Sequence, residues 1–288
     1  MKLATYRHNG DARIGKVVDD AVIDIHAAAK NLPRTMLELL QAGERALAII
    51  DRLLPGAGPT LALKDVSLAA PVPNPSKYLA IGLNYRDHLE EHLRRGGKPP
   101  TTQIWFNKQV SCITGPFDPI EMPNVSTCLD YELELGVVIG RRCKHVRAEN
   151  ARAVIAGYVV VNDVSVRDWQ LRSPTWTMGK SFDTHGPTGP WLLTDDDITD
   201  PHNLAMRLTV NGELRQSTST STMLANTYEQ IEHLSTVMTL EPGDILATGT
   251  PAGVGIGFEP PLYLKVGDIV RAEIETIGHI ENTVVACA

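Results

Sequence analysis

The stretch CLDYELELGVVIG, residues 128–140, combines two glutamates, two positions apart, with a run of β-branched residues. This composition predicts a strand. Side chains on a strand alternate between its faces, so Glu132 and Glu134 point to the same side. Residues 137–139 are apolar on both faces, which predicts that the strand runs into a buried region. Burying two unpartnered carboxylates is costly, and a cation between them would remove that cost.

A third acid follows a second strand. The segment GYVVVND, residues 157–163, is an apolar run typical of a central strand, and it ends in Asn162 and Asp163. Three carboxylates suit Mg²⁺ or Mn²⁺ better than Zn²⁺. The alternative is that both glutamates face solvent on an edge strand and that Asp163 caps a turn. Spacing alone leaves the two interpretations equally open.

The rest of the chain predicts a β-rich α+β protein with a mixed sheet. Residues 1–70 read as a small α+β domain, with short strands and a helix over residues 35–54. Prolines near residue 70 predict a boundary. Residues 71–288 contain mostly strand-like segments, with fewer helical ones at residues 86–95, 146–157 and 227–238. Strands do not alternate strictly with helices, which argues against a doubly wound parallel sheet.

Bulk composition excludes several classes of function. The 27 Lys and Arg residues against 34 Asp and Glu give a net charge of −7, so no global basic field attracts nucleic acid. Neither a signal peptide nor an apolar run long enough to span a membrane is expected. The four cysteines lie singly, without the spacing of a zinc cluster, and suit a reducing cytoplasm.

A histidine and a glutamate follow the turn after an apolar strand. In YLAIGLNYRDHLEEH, residues 78–92, His88 and Glu91 are three apart and are therefore neighbours on a helix. Glu91 could orient the imidazole and raise its basicity, which would make His88 a general base. The alternative is an exposed helical pair of little consequence, and an isolated pair of this kind favours that alternative.

Several segments together resemble the fumarylacetoacetate hydrolase superfamily. The resemblance covers residues 71–285 and includes, in order, GLNYRDH, LDYELELGVVIG, NDVSVRDWQ, GKSFDTHGP, NGELRQ and GDILATGTPAGVG. It implies a mixed β-sheet roll of that family's C-terminal type, a homodimer and an active-site divalent cation, Mg²⁺ or Mn²⁺. Residues 1–70 resemble the extra N-terminal domain of longer members.

The resemblance also implies residue roles. Those it assigns are metal binding by Glu132, Glu134 and Asp163, catalysis by His88, Glu91 and Lys180, and substrate binding by Arg167, Gln170 and Thr248. Plainer alternatives remain for three of these residues. Arg167 could form an ion pair with its neighbour Asp168, Lys180 could be a solvated loop residue, and Thr248 could bond a backbone group.

The implied reaction is hydrolysis of a carbon–carbon bond in a 2,4-diketo acid. Fumarylacetoacetases carry a further aspartate ligand and a longer N-terminal domain, so this chain is more similar to hydrolases of acylpyruvates or diketo-deoxy sugar acids. A metal-stabilised enolate would leave as pyruvate, with water activated by His88. Alternatives are a decarboxylase of oxaloacetate type, a tautomerase or isomerase using the same enolate, and a non-catalytic protein that binds a small 2-keto acid.

Overall fold

A computed structural model describes residues 1–287, in which strands outnumber helices. The strands are β1 Lys2–His8, β2 Asp11–Val18, β3 Ala21–Asp24, β4 Thr60–Ala62, β5 Ser67–Ala69, β6 Tyr78–Gly82, β7 Ile104–Lys108, β8 Ile113–Thr114, β9 Ile120–Met122, β10 Leu129–Asp130, β11 Leu133–Ile139, β12 Ile155–Asn162, β13 Ser165–Val166, β14 Gly186–Thr194, β15 Ala205–Val210, β16 Glu213–Ser219, β17 Ile245–Ala247, β18 Ile269–Ile274 and β19 Gly278–Ala286. The α-helices are α1 Ile25–Ala28, α2 Met36–Ala42, α3 Glu44–Asp51, α4 Arg86–Arg94, α5 Arg167–Gln170 and α6 Thr227–Val237.

A twelve-stranded mixed sheet forms the centre of the molecule. Its main path runs β4-β3-β2-β1-β14-β12-β11-β17-β6-β7, with β5 beside β1 and β8 beside β14. A five-stranded sheet has the order β16-β15-β18-β19-β9, and β10 pairs with β13. Most pairs are antiparallel, whereas β17 with β6, β8 with β14 and β9 with β19 are parallel. The expected β-rich α+β fold with a mixed sheet is confirmed.

The first 70 residues join the central sheet. Strands β1 and β2 form a hairpin through Asn9 and Gly10, both at positive φ, as a type I′ turn requires. Strand β1 also pairs with β14, where Lys2 lies opposite Leu193. The sheet therefore continues across the expected boundary near residue 70, and the division into domains 1–70 and 71–288 stays a prediction.

Two predicted helices differ from the structure. The single helix over residues 35–54 is wrong, because the chain forms α2 and α3 and breaks between them at Gly43, where φ is 71° and ψ is −159°. That backbone conformation is nearly restricted to glycine. The helix expected over residues 146–157 is instead a 3₁₀ helix, Ala148–Val154, followed directly by β12.

Several strand ends that carry polar residues lie together at one end of the central strands. Strands β11 and β12 are antiparallel and fully buried, with Leu133 opposite Asn162. The start of β11 therefore lies beside the end of β12. Strand β17 is antiparallel to β11 and parallel to β6, so the C-terminal ends of β17 and β6 lie on the same side of the sheet as the start of β11. Helix α4 follows β6 there.

Neither a membrane-spanning helix nor a disulfide is found within residues 1–287. No helix in that range combines the length and the apolar character needed to cross a bilayer. The four cysteines form no disulfide within these residues.

A buried histidine makes the stability of the fold sensitive to acid. His185 is 1% exposed, and its Nε2 lies 2.9 Å from the carbonyl oxygen of Glu121. Its Nδ1 is buried and has no hydrogen-bond partner within residues 1–287. Burial lowers the pKa of His185 from 6.5 to about 4. The folded protein therefore holds His185 neutral.

Replacing His185 by Gln is expected to flatten the loss of stability in acid. Because the folded pKa lies below the unfolded one, stability present above pH 6.5 is lost as the pH falls towards 4, by about 3 kcal/mol. Urea denaturation of both proteins between pH 7 and pH 4 measures this difference. Equal slopes for wild type and His185→Gln would contradict the assignment.

Candidate active site

Three carboxylates converge where β11 begins and β12 ends. Each of Glu132, Glu134 and Asp163 offers an oxygen, and these oxygens lie within 4.8 Å of one another. The antiparallel register brings Asp163 beside Glu132, whose carbonyl oxygen accepts its backbone N–H at 2.8 Å. All three side chains are at most 5% exposed: Glu134 lies on the central strand β11, Glu132 directly precedes it, and Asp163 directly follows the central strand β12. The alternative of a solvent-facing edge strand is therefore wrong.

Two cations reach this cluster from flanking segments. The Nζ of Lys180 lies 2.5 Å from Oε2 of Glu132 and 2.8 Å from Oδ2 of Asp163. Arg167 places one terminal nitrogen 2.7 Å from Oε1 of Glu132 and its Nε 2.7 Å from Asp130. Both cations are at least 95% buried. The plainer alternatives, a solvated Lys180 and an Arg167 ion pair with the adjacent aspartate, are not what the structure contains.

Lys108 belongs to the site and was missed by sequence reasoning. It is 2% exposed at the end of β7, and its Nζ donates to Oδ1 of Asp163 at 2.6 Å. The same ammonium donates to the carbonyl oxygen of Lys180 at 2.5 Å. It therefore ties the acid cluster to the segment that carries the second lysine. The available signal was that Lys108 shares a strand face with Phe106, which is itself buried.

Asp130 was also missed, and it holds Arg167 in place. Besides the guanidinium, its carboxylate accepts the backbone N–H groups of Gly255, at 2.6 Å, and Ile256, at 2.9 Å. Asp130 is fully buried. It thus fixes both the arginine and the loop after β17 relative to the acids.

The negative charge of this cluster is not fully balanced by cations of the protein within residues 1–287. Burial raises the pKa of Glu132, but the charges of Arg167 and Lys180 outweigh burial and hold it at about 2. Burial, together with Asp163 and Glu132, raises the pKa of Glu134 well above its usual range. Glu134 accepts the N–H of Gly249 at 2.7 Å but forms no ion pair within residues 1–287. Three buried oxygen ligands, one without a counter-charge, fit a divalent cation.

Helix α4 holds the histidine and the glutamate against the same cavity. The Nδ1 of His88 lies 2.9 Å from Oε2 of Glu91, and the side chains are only 14% and 12% exposed. The other oxygen of Glu91 accepts the N–H of Gly253 at 3.2 Å. His88 and Glu91 line the same cavity as Glu132. The His88 and Glu91 side chains are therefore mostly buried in the site rather than exposed on the helix.

A cavity of about 140 Å³ connects these groups. Of the nine predicted site residues, seven line it, namely His88, Glu91, Glu132, Glu134, Arg167, Gln170 and Lys180. Asp163 joins the acids without being part of the cavity wall. The amide oxygen of Gln170 accepts a hydrogen bond from Arg167 at 3.0 Å, so the arginine orients the amide.

Thr248 is the predicted site residue that the structure does not bring to the cavity. It is fully buried, and its hydroxyl donates to the carbonyl oxygen of Leu135 at 2.9 Å, which is the plainer alternative. Thr250, two residues later, lines the cavity and accepts a hydrogen bond from the amide of Gln216 at 2.8 Å. The substrate contact by Thr248 stays a prediction.

Comparison with known proteins agrees with this geometry. Residues 77–285 match the family model described as the C-terminal part of fumarylacetoacetate (FAA) hydrolase. The chain belongs to the fumarylacetoacetate hydrolase family. The matched residues include all nine predicted site residues, and the sheet arrangement is that family's fold.

Relatives of known structure or name show how varied the family is. A mitochondrial oxaloacetate tautomerase of Bos taurus is 46% identical over 266 residues, which is 92% of this chain and 84% of the relative. A fumarylacetoacetate hydrolase from Exiguobacterium antarcticum is 38% identical with a TM-score of 0.88, and all of both chains is covered. A maleylpyruvate hydrolase from Sphingobium, solved with manganese(II) and pyruvate, is 34% identical with a TM-score of 0.84 over all of both chains.

The family therefore includes hydrolases and tautomerases, and this chain is similar to both. An acid cluster able to hold a metal ion is present here, and one relative of the same fold binds manganese.

Two matched substitutions should separate the roles of the glutamates. In metal-free protein, Glu132→Gln is expected to lose about 3–5 kcal/mol of stability, because it leaves Arg167 and Lys180 short of a counter-charge. Glu134→Gln is expected to lose none, because it replaces a carboxylate that has no cation and keeps the bond from Gly249. Urea denaturation in the presence of a chelator measures both.

Both variants should nevertheless bind divalent cations more weakly than wild type in calorimetric titrations with Mg²⁺ or Mn²⁺. Unchanged metal binding by Glu134→Gln would exclude it as a ligand. An equal loss of stability in the two variants would contradict the assigned charge balance.

Proposed function

We propose that this protein is a divalent-cation-dependent tautomerase that interconverts the enol and keto forms of oxaloacetate or a closely related small 2-oxo acid. The observation that carries the proposal is one proton carrier, His88 held by Glu91, in the same small cavity as the acid cluster. The similarity to oxaloacetate tautomerase over 92% of the chain supports this reaction over others of the family. A cavity of about 140 Å³ also suits a compact acid.

Glu132, Glu134 and Asp163 would hold the cation. When bound, Mg²⁺ or Mn²⁺ would act as a Lewis acid towards the oxygens of the 2-oxo acid. Both ions take the same oxygen ligands, so the proposal covers either ion.

His88 moves the proton. Its Nδ1–H donates to Glu91, which leaves Nε2 as the basic nitrogen. That nitrogen takes the hydroxyl proton of the enol and returns a proton to carbon 3, so one O–H bond breaks and one C–H bond forms. No water is consumed. Glu91 also balances the positive charge that His88 carries between the two steps.

Arg167, Gln170 and Lys180 prepare the cavity for negative charge. The two cations lower the free energy of an enolate oxygen nearby, and they are already oriented by buried acids before substrate binds. The amide of Gln170, held by Arg167, can donate a hydrogen bond to the substrate.

A second candidate is hydrolysis of an acylpyruvate with release of pyruvate. The maleylpyruvate hydrolase of the same fold, solved with pyruvate, supports it. In that reaction His88 would take a proton from water instead of from the enol. Decarboxylation of oxaloacetate is a third candidate that needs no activated water.

Assays on oxaloacetate and acetylpyruvate would test the proposal. With Mg²⁺, wild type is expected to accelerate the decay of enol absorbance of oxaloacetate and to release no pyruvate beyond the uncatalysed rate. Acetylpyruvate is expected to be hydrolysed no faster than in buffer. Rapid release of pyruvate from acetylpyruvate would favour the hydrolase, and rapid release from oxaloacetate would favour the decarboxylase.

His88→Ala and Glu91→Gln should both lose tautomerase activity. The expected loss in kcat is roughly 10²–10⁴-fold for the histidine, the range for removing a positioned acid–base group. A matched control is Glu90→Gln, since Glu90 is the exposed neighbour on the same helix. Stopped-flow decay of the enol measures all three. Full activity in His88→Ala would exclude it as the proton carrier.

Location and assembly are also proposals. We propose a homodimer, which light scattering during gel filtration would test, and action in the cytoplasm, although tautomerase relatives are named as mitochondrial.

A further inference from the structure

Arg95 lines the cavity but has no protein partner. Of the lysines and arginines that line it, Lys180 and Arg167 are both paired with buried acids. Arg95 is exposed at the mouth and forms no ion pair or hydrogen bond through its side chain within residues 1–287. Its whole guanidinium is therefore available to a ligand, whereas Arg167 keeps a single nitrogen without a partner within residues 1–287, the buried Nη2.

The backbone at Arg95 is shaped by the C-terminal cap of helix α4. Helix α4 ends there, and the next residue, Gly96, has φ of 82°. The N–H of Gly96 donates to the carbonyl of Leu93 at 3.0 Å, and the N–H of Gly97 donates to that of His92 at 3.1 Å. This is the Schellman arrangement, which closes a helix C-terminus. The position from which the guanidinium extends is thus set by the fold.

Arg95 shares a helix face with the proton carrier. His88, Glu91 and Arg95 are spaced by three and four residues, so they lie along one side of α4, and all three line the cavity. At 1.5 Å per residue, the backbones of His88 and Arg95 are roughly 10 Å apart along the axis. A long arginine side chain can reach back over part of that distance towards a small molecule beside His88.

The charge of Arg95 also acts in the neighbourhood of Arg167. Burial and the charges of Cys128 and Asp130 raise the pKa of Tyr263, whereas Arg167 and Arg95 oppose this rise. Both guanidinium groups therefore act on the same tyrosine hydroxyl.

We propose that Arg95 binds the substrate carboxylate that is farther from the acid cluster, and so selects 2-oxo dicarboxylic acids over monocarboxylic ones. The inference rests on the proposed function for the identity of the reacting end. A 2-oxo acid whose keto and carboxylate oxygens face a cation held by Glu132, Glu134 and Asp163 would direct its other end towards the mouth. A carboxylate at that end meets Arg95, whose planar fork matches two carboxylate oxygens. A methyl group there gains nothing from the charge.

A competing explanation is that Arg95 only complements the helix dipole. Cations at a helix C-terminus are stabilising regardless of any ligand. Arg94 offers a matched control, because it lies in the same turn, is exposed and does not line the cavity. An effect specific to Arg95 on one class of ligand cannot come from the dipole.

Two stable acids allow the test without turnover. L-malate and 2-hydroxybutyrate differ in having a carboxylate or a methyl group at the distal end. Their binding to Mg²⁺-loaded wild type, Arg95→Gln and Arg94→Gln would be measured by calorimetry. Wild type is expected to bind malate at least tenfold more tightly than 2-hydroxybutyrate. Arg95→Gln should weaken malate by roughly tenfold or more, the range for a hydrogen bond to a charged group, and leave 2-hydroxybutyrate within twofold. Arg94→Gln should change neither.

Several outcomes would overturn the proposal. These are equal binding of the two acids by wild type, binding of neither, an Arg95→Gln effect that is absent or equal for both acids, and an Arg94→Gln effect of the same size. Enol decay of oxaloacetate, measured on the same samples, reports on the proposed function separately. A preference for malate that depends on Arg95, in a protein that does not tautomerise oxaloacetate, would support the carboxylate site and reject the reaction.

Discussion

The structure depends on burying several carboxylates at the ends of the central strands of its large sheet. Four acids, Asp130, Glu132, Glu134 and Asp163, and three cations, Lys108, Arg167 and Lys180, are all at most 5% exposed. With every group ionised the cluster has 3 − 4 = −1 charge. A buried ion pair contributes little net stability, because desolvation offsets the attraction, whereas breaking one is costly. The cluster is therefore understood as a binding site for positive charge, around which the flanking segments are ordered by the cations they contribute.

Local periodicity predicts part of this site. The two-residue spacing of Glu132 and Glu134, and the three-residue spacing of His88 and Glu91, are properties of a single strand or helix, so the sequence predicts which side chains are neighbours. An acid closing an apolar run likewise marks Asp163 as the end of a buried strand. The strand-rich fold follows from the same patterns, while the break at Gly43 does not, because only the backbone conformation shows that the glycine ends one helix and starts another.

The rest of the site depends on pairing between distant segments. Lys108 lies on β7, three strands from β11 along the sheet, and donates to Asp163 across 55 positions, and Asp130 meets Gly255 across 125 positions. Neither contact has a local signature. The threonines show the same limit at finer scale. Thr248, the first residue after β17, donates to a backbone carbonyl, whereas Thr250 lines the cavity. Gly249 between them has a positive φ of 97°, which the sequence pattern does not predict.

Resemblance to a family assigns roles to the three acids and to the His88–Glu91 pair more readily than it identifies the reaction. Enolisation, hydrolysis and decarboxylation all need a stabilised enolate, so the buried cluster does not discriminate among them. Discrimination rests on what else enters the cavity and how the distal end of the substrate is held. Under the proposed function both are controlled at the mouth, where helix α4 carries His88 near one end and Arg95 follows its other end. In that proposal a single helix links the position of the base to the recognition of a distant charge, and a shift of that helix would alter both together.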